Sequence, residues 1–289
     1  MAIVEYFEMF PFMFLVSITL LGLIVGSFLN VIIYRLPIMM ETDWKQQCRL
    51  LLELEPESKK PEQTFNLVHP RSRCPNCRHP ISTIENIPVI SYLFLGGKCS
   101  HCSQKISIRY PLIELLSGLA ALFIAWKYGP TIQTLFICLL TWALICLTMI
   151  DFDKQLLPDD ITLPFLWLGL LCNLFDMFTS LQASVIGAML GYGILWFIFI
   201  LFKLLTGKEG MGHGDFKLLA MLGAWMGWQS LPLIILLASL SGSIIGILII
   251  IFRGHERTIP IPFGPYLAIS GWIGLIWGEE IIRIYLGYF

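Results

Sequence analysis

Long stretches without a single charged side chain constrain this sequence more than any other feature. Residues 9–34, 128–150, 177–202 and 258–278 contain no Asp, Glu, Lys or Arg, and 218–252 is long enough for two such stretches, broken at Gln229-Ser230-Leu231-Pro232. About 20 apolar residues in a helix cross the hydrocarbon core of a bilayer. With the shorter candidates 112–126 and 161–175, the pattern predicts an all-α polytopic membrane protein of about eight transmembrane helices. They are placed at roughly 10–34, 110–128, 131–150, 160–178, 181–203, 216–229, 231–252 and 262–284. A composition that is 56% hydrophobic and 13% charged, with a mean hydropathy of +0.76, excludes an ordinary soluble domain. The first segment has no basic leader before it and no small-residue cleavage site, so it is expected to stay as a span.

The net charge of −1 carries no message about partners, but its distribution does. With eight spans, the Lys and Arg residues at 35–109, 154, 203–217 and 253–257 share one side, 17 of 19, leaving only Lys127 and Arg283 opposite. That side is expected to be cytoplasmic. The chain divides into a first helix at 1–34, a polar insert at 35–109 and a transmembrane core at 110–289. Within the insert, the charged stretch from Glu41 to Lys60 can be helical or mobile, 62–73 reads as irregular, and a cysteine-bearing module follows. Lipid is the expected surrounding, and nucleic acid is not expected as a partner.

Cys74-Pro75-Asn76-Cys77 and Cys99-Ser100-His101-Cys102 are two C-x-x-C knuckles separated by 21 residues. Each offers two thiolates on a tight turn, and together they complete a tetrahedral four-cysteine zinc site, whose binding energy can fold a module too small to fold alone. Four thiolates leave no open position, which makes such a metal structural. Disulfides are the alternative, disfavoured on a reducing cytoplasmic side, and His101 could replace one thiolate. Cys138, Cys146 and Cys172 lie in apolar segments and read as small core residues.

Two aspartates stand at the edges of apolar segments. Asp151 ends the third predicted span, and Asp215 opens the sixth within Gly212-His213-Gly214-Asp215. An even number of spans separates them, so both carboxyls return to the same face. Paired carboxylates near a membrane surface would share a proton, one acting as base toward a water and the other as acid toward a leaving amine. Gly212 and Gly214 would let a backbone approach closely and tolerate positive φ. A helix-capping Asp is the plain alternative for Asp215. Asp159 or Asp160, following Pro158, is expected to cap the fourth helix, and Asp153 to be solvated or paired with Lys154.

At this point the chain resembles the prepilin peptidases, the leader peptidases of type IV pili and type II secretion. The likeness runs in order through Gly26-Ser27-Phe28-Leu29-Asn30-Val31, Tyr34-Arg35-Leu36-Pro37, the knuckles enclosing Asn86-Ile87-Pro88-Val89-Ile90-Ser91-Tyr92, and Arg109-Tyr110-Pro111 with Glu114. It continues through the Asp151 segment with Leu157-Pro158-Asp159, the Gly212–Asp215 motif with Lys217, and Ile261-Pro262-Phe263-Gly264-Pro265. The resemblance implies an aspartic protease of the G-x-G-D type in the bacterial inner membrane. It implies cleavage of type IV prepilins and pseudopilins at the cytoplasmic face, after the glycine ending a short basic leader. It further implies methylation of the new N-terminal residue by S-adenosylmethionine. By motif position Asp151 and Asp215 correspond to the catalytic pair, Gly212, Gly214 and Lys217 to its supporting motif, and Cys74, Cys77, Cys99 and Cys102 to the metal ligands. No Gly-rich loop following a strand is present, which excludes a Rossmann-type methyltransferase domain. Gly96, Gly97, Lys98 and Glu114 are the candidate cofactor contacts.

Two rival classes follow from the same residues. A zinc-ribbon scaffold without catalysis explains the insert and the spans but not two aspartates on one face. A transporter would use Asp151 and Asp215 as ion sites, and requires carboxylates deep within spans and repeat symmetry.

Overall fold

The computed structural model describes residues 2–53, 65–253 and 262–287, all of the chain but its ends and two internal stretches. Lys59, Lys60, Arg257 and Ile261, on which parts of the charge and motif arguments rest, lie outside the described residues. The chain forms two compact units, Met1–Trp142 and Ala143–Phe289. Among the described residues there are helices and isolated bridges but no strands.

The first unit holds α1 (Ala2–Met9), α2 (Pro11–Leu51), α3 (Ile90–Phe94), α4 (Arg109–Tyr128) and the start of α5 (Ile132–Lys154). The expected first helix ended at 34, yet α2 runs unbroken for 41 residues through Pro37. Proline withholds one hydrogen bond from the Ile33 carbonyl. The residues beyond it, Met39, Met40, Glu41, Lys45, Gln46, Gln47 and Leu50, are strong helix formers that carry the ladder onward. Helix α2 packs on α4 at close range because glycines line the seam. A Cβ on Gly22 would stand 2.8 Å from the Ser117 carbonyl, and one on Gly26 would stand 2.7 Å from the Glu114 Cα. In lipid, where burial of apolar area gives no drive, such small-residue seams let helices gain dispersion contacts. The Asn30 amide crosses the seam to the Tyr110 carbonyl at 3.1 Å.

The second unit holds the rest of α5, then α6 (Asp159–Asn173), α7 (Leu181–Thr206), α8 (His213–Met226), a 3-10 turn at Trp228–Ser230, α9 (Leu231–Arg253) and α10 (Gly264–Leu286). Helix α8 is its centre. Phe216, Leu218, Leu219, Met221, Leu222 and Trp225 are fully buried, so it is apolar all round, as an enclosed helix must be. It meets α7 at Gly187 and Gly223, where a methyl on either would collide with the other's carbonyl. It meets α6 at Gly169, whose bare Cα accommodates the indole of Trp225. The Trp225 Nε1 then donates to the Phe165 carbonyl at 2.8 Å. Asn173, the last residue of α6, is wholly buried and donates to the Ala224 and Trp225 carbonyls at the end of α8. Its side-chain oxygen accepts the Phe178 and Thr179 amides ahead of α7.

Among the described residues, five helices are long and apolar enough to cross a membrane: Pro11–Leu51, Arg109–Tyr128, Ile132–Lys154, Leu181–Thr206 and the stretch Trp228–Phe252. This is a multi-pass membrane protein. Of the other three segments expected to span, α6 has 15 residues and α8 has 14, short of the ~20 that cross a bilayer unaided. Helix α10, with 23 residues, carries Glu279 and Glu280 near its end.

Candidate active site and metal centre

Both aspartates lie in the second unit and both are buried, Asp151 at 5% and Asp215 at 7% exposure. The expected boundaries shift slightly. Helix α5 continues to Lys154, so Asp151 sits in its last turn rather than at its end. Helix α8 begins at His213, so Asp215 is inside its first turn. Gly212 holds the N-cap position of α8 with no side-chain bond, so Asp215 is not the N-cap residue but caps from the third helical position. Its carboxyl instead lies back over the Gly212 amide and within the field of the Asp151 charge. Asp151 receives the Gly264 amide, and its Oδ2 is buried without a hydrogen-bond partner among the described residues. An unsatisfied buried acceptor costs on the order of 1–3 kcal/mol, a feature that folding alone does not select.

Glycines crowd this pair for different reasons. A Cβ at Gly264 would stand 2.5 Å from Asp151 Oδ2 and 3.1 Å from Leu157 Cδ1. At Gly214 it would stand 2.8 Å from Leu157 Cβ. Leu157 is therefore wedged between two bare backbones beside Asp151. The tolerance of the motif glycines for positive φ is not used: Gly212 has φ −82°, and neither it nor Gly214 is among the positive-φ residues. Gly212 is exposed and has room for a side chain, the nearest atom being Asp215 Oδ2 at 3.7 Å.

The acidic neighbours take other parts. Helix α6 is capped by Pro158 with no side-chain bond, so neither Asp159 nor Asp160 is the N-cap. They occupy the first turn, where a carboxylate meets the positive end of the helix dipole. Both oxygens of Asp159 accept from Lys217 Nζ at 2.7 Å, so Lys217 binds the start of α8 to the start of α6. His213 is exposed and packs its ring on Phe199 and Phe216. Sequence reasoning missed the Lys217 to Asp159 pair and the seat of Asp151 on Gly264. A basic residue two positions after Asp215 was the available signal for the first.

The metal centre lies wholly in the first unit. The sulfurs of Cys74, Cys77, Cys99 and Cys102 all lie within 4.8 Å of one another, with Cys74 to Cys102 at 3.7 Å and Cys77 to Cys99 at 3.9 Å. A tetrahedral ion with metal–sulfur bonds of ~2.3 Å needs sulfurs ~3.8 Å apart, so the four residues fit a metal ion. The cysteines are free thiols, not disulfides.

The two knuckles repeat one backbone design. Cys74 N donates to the His79 carbonyl and Arg78 N to the Cys74 carbonyl, each at 2.9 Å. Cys99 N to Gln104 at 2.9 Å and Ser103 N to Cys99 at 3.0 Å are the counterparts. Arg78 and Ser103, each just after the second cysteine, take positive φ of 59° and 56°. The amides of Cys77 and then Asn76 pull the Cys74 thiol down to about 6. Cys77, although the His79 amide donates to it, is pushed up to about 12 by desolvation and the surrounding thiols. Sulfurs crowded this closely cannot all ionise without a cation among them.

Glu85 braces the module. It accepts the Ser82 amide at 2.8 Å and the hydroxyl of Ser100 inside the second knuckle, and the Ser100 bond, followed by Ser82, holds its carboxyl down to about 2. His101 stacks on His79 and stands apart from the sulfur cluster.

The candidate cofactor contacts have structural work of their own. Gly96 and Gly97, at φ 59° and 68°, turn the chain from α3 into the second knuckle, and a Cβ at Gly97 would strike the Tyr92 ring. Lys98 pairs with Lys105 in a bridge beside that knuckle. The Glu114 carboxylate accepts the Val89 amide at 2.8 Å.

Comparison with known proteins matches residues 20–128 to the bacterial peptidase A24 N-terminal domain and residues 138–247 to the type IV leader peptidase family. The chain is similar to the prepilin leader peptidase/N-methyltransferase of Pseudomonas aeruginosa, 55% identical over 288 residues that cover 100% of this chain and 99% of that protein. Its likeness to the same-named protein of Stutzerimonas stutzeri is 54% over 285 residues, covering 99% and 98%. For that of Legionella pneumophila it is 47% over 277 residues, 96% of each chain. No solved structure matches the chain.

Proposed function

This chain belongs to the type IV leader peptidase family, and on that premise we propose that it cleaves the leader from type IV prepilins with Asp151 and Asp215 and then methylates the new N-terminus. The observation that carries the catalytic assignment is the pairing of two buried carboxyls from distant parts of the chain, one with an unpartnered oxygen seated on a bare backbone. In such a pair one carboxyl holds a proton and the other does not. The ionised member takes a proton from water as its oxygen attacks the scissile carbonyl. The protonated member donates to that carbonyl oxygen, and the proton gained by the base leaves with the new amine. Gly212 and His213, exposed beside Asp215, form the edge along which an extended leader would lie. Lys217, paired with Asp159, holds the first turn of α8 in place and does not touch the reacting atoms.

The aspartates occupy the last turn of α5 and the first turn of α8, at helix ends. This favours surface proteolysis over a transporter's ion path, which requires carboxylates in mid-span. Zinc is the metal assigned to the four cysteines, as a structural ion, since four sulfurs complete its tetrahedron. S-adenosylmethionine supplies the methyl group when bound. Gly96, Gly97 and Lys98 are its candidate contacts, because Gly96 is open to solvent and Lys98 exposed. Glu114 is held by Val89 and would act from behind them. Pseudopilins share the prepilin leader chemistry and are included as substrates. The bacterial inner membrane is the proposed location, with the cytoplasmic face as the side that holds the basic 35–109 insert between the first two candidate spans.

The test is incubation of the purified protein in detergent with a prepilin and S-adenosylmethionine. A product shortened at the glycine and heavier by one methyl group is expected. An unshortened prepilin would overturn the reading.

A further inference from the structure

The cysteine-bearing insert carries an apolar segment that its polar setting does not explain. Around α3, Ile84, Ile87, Ile90, Leu93 and Phe94 are all exposed, Leu93 at 71% and Phe94 at 88%. Exposed apolar residues this closely grouped mark a surface meant to be covered.

The segment's depth identifies the cover. Val89, which opens α3, is bound through its amide to Glu114. Glu114 is the sixth residue of α4, a candidate span beginning at Arg109, so the bond lies ~7 Å below the start of that helix. With 20 residues, α4 needs its whole length to cross a hydrocarbon core of ~30 Å. Helix α2 also places Glu114 inside a span, at ~12 Å from the end of its charge-free run. Its Gly26 sits against Glu114, eight residues inside the charge-free run that ends at Tyr34. The start of α3 is thus level with the inside of two spans.

The backbone is prepared for such a place. Lipid offers no partner to an exposed amide, and non-helical chain survives at membrane depth only when its polar groups are satisfied. Ile87 N donates to Ile84, Ile90 N to Pro88, Ser91 N to Ile87, Leu93 N to Val89, Leu95 N to Ser91 and Gly96 N to Leu93. Pro88 has no amide to satisfy. The amide of Val89, turned away by a φ of 61° that a β-branched residue rarely adopts, is the one that Glu114 receives.

We propose that residues 87–95 form a re-entrant segment that dips into the bilayer, with Glu114 as its anchor and Leu93 and Phe94 among the acyl chains. The exposed Lys105, bridged to Lys98 where the chain climbs back to the second knuckle, meets the phospholipid headgroups. The segment holds the metal module against the membrane surface.

The test uses the full-length protein with p-benzoylphenylalanine in place of Phe94, in vesicles of phosphatidylethanolamine and phosphatidylglycerol without substrate, irradiated and weighed intact. A phospholipid adduct is expected at a yield comparable with the probe at the span residue Phe197, and none with the probe at Ser100. Glu114→Gln keeps an acceptor for Val89 and should preserve the adduct. Glu114→Ala should lower it about fivefold, the worth of one hydrogen bond, with zinc content unchanged as proof that the module is folded. A lipid-free product at position 94, or crosslinking there to a second copy of the chain, would overturn the proposal. So would an undiminished yield in Glu114→Ala. Because no cleavage is measured, the outcome is independent of the aspartate assignment.

Discussion

The metal centre and the aspartate pair are built in opposite ways. Four cysteines come from two short turns of the same design, each made by its own local hydrogen bonds, and the pair closes around one point. The aspartates come from the end of one helix and the start of another, and depend on Leu157, Gly214 and Gly264 for their seating. A local site of this kind would draw its stability from the ion that its four sulfurs fit. A distributed site draws its geometry from the packing of the helices that carry it, so it should be sensitive to changes of a few tenths of an ångström that the metal module would not register.

Removing the ion is the harshest way to separate the two. Cys74→Ser with Cys77→Ser should abolish metal content by elemental analysis and forfeit on the order of 10 kcal/mol of module stability. The helices of the second unit should keep their helical circular dichroism, and methylation should fall at least as far as cleavage. Collapse of the whole chain would erase the distinction.

Asp151→Asn or Asp215→Asn should cut leader cleavage by about 10⁴-fold and leave the metal in place. The double variant should be hardly worse than either single, because the two act as a unit. Cleavage by Asp151→Asn at a normal rate would remove it from the pair.

Gly264→Ala sharpens the geometric half of the comparison. Its methyl would press on Asp151 Oδ2 at 2.5 Å, and misplacement on that scale should lower kcat about 10²-fold. Gly193→Ala on α7, whose added Cβ would meet nothing within 4 Å, should stay close to normal, and equal effects from the two would contradict the packing argument. The smallest effect belongs to Lys217→Met, since a partly exposed ion pair is worth about 1 kcal/mol or less. A loss of a few-fold in cleavage is expected, with recovery when Lys217→Asp is combined with Asp159→Lys.

The same contrast governs what could be read from the sequence. The cysteine ligands were legible because spacing alone encodes a knuckle. Asp151 and Asp215 were legible as candidates from their position at the edges of charge-free runs, whereas the even number of segments between them counted α6, whose 15 residues fall short of a span. Their seats were not legible, because nothing in the local sequence says that Gly264 will lie on Asp151, more than a hundred residues away. Asp159 was expected to cap α6, but Pro158 already sets the entry angle, and the carboxylate found a lysine from another helix. The count of eight spans treated α6 and α8 as crossing helices. At 15 and 14 residues they fall short of the ~20 that cross a bilayer unaided, and α8, buried on all sides, is an apolar run enclosed by protein. Helix α3 and the unusual φ of Val89 had no signal, since a single buried carboxylate from α4 defines both.

Asn173 bears on how the second unit moves. One side chain joins the end of α6, the end of α8 and the approach to α7, so none of the three can open while the others stay closed. Their slowest amides should exchange with deuterium as one cooperative group. Helix α8 is thereby pinned at its C-terminus, with Lys217 restraining its first turns. A slip of one residue along its axis would move Asp215 by ~1.5 Å and turn it by ~100°. The asparagine, held ~15 Å along the helix from the carboxyl, therefore sets the register in which that carboxyl is presented.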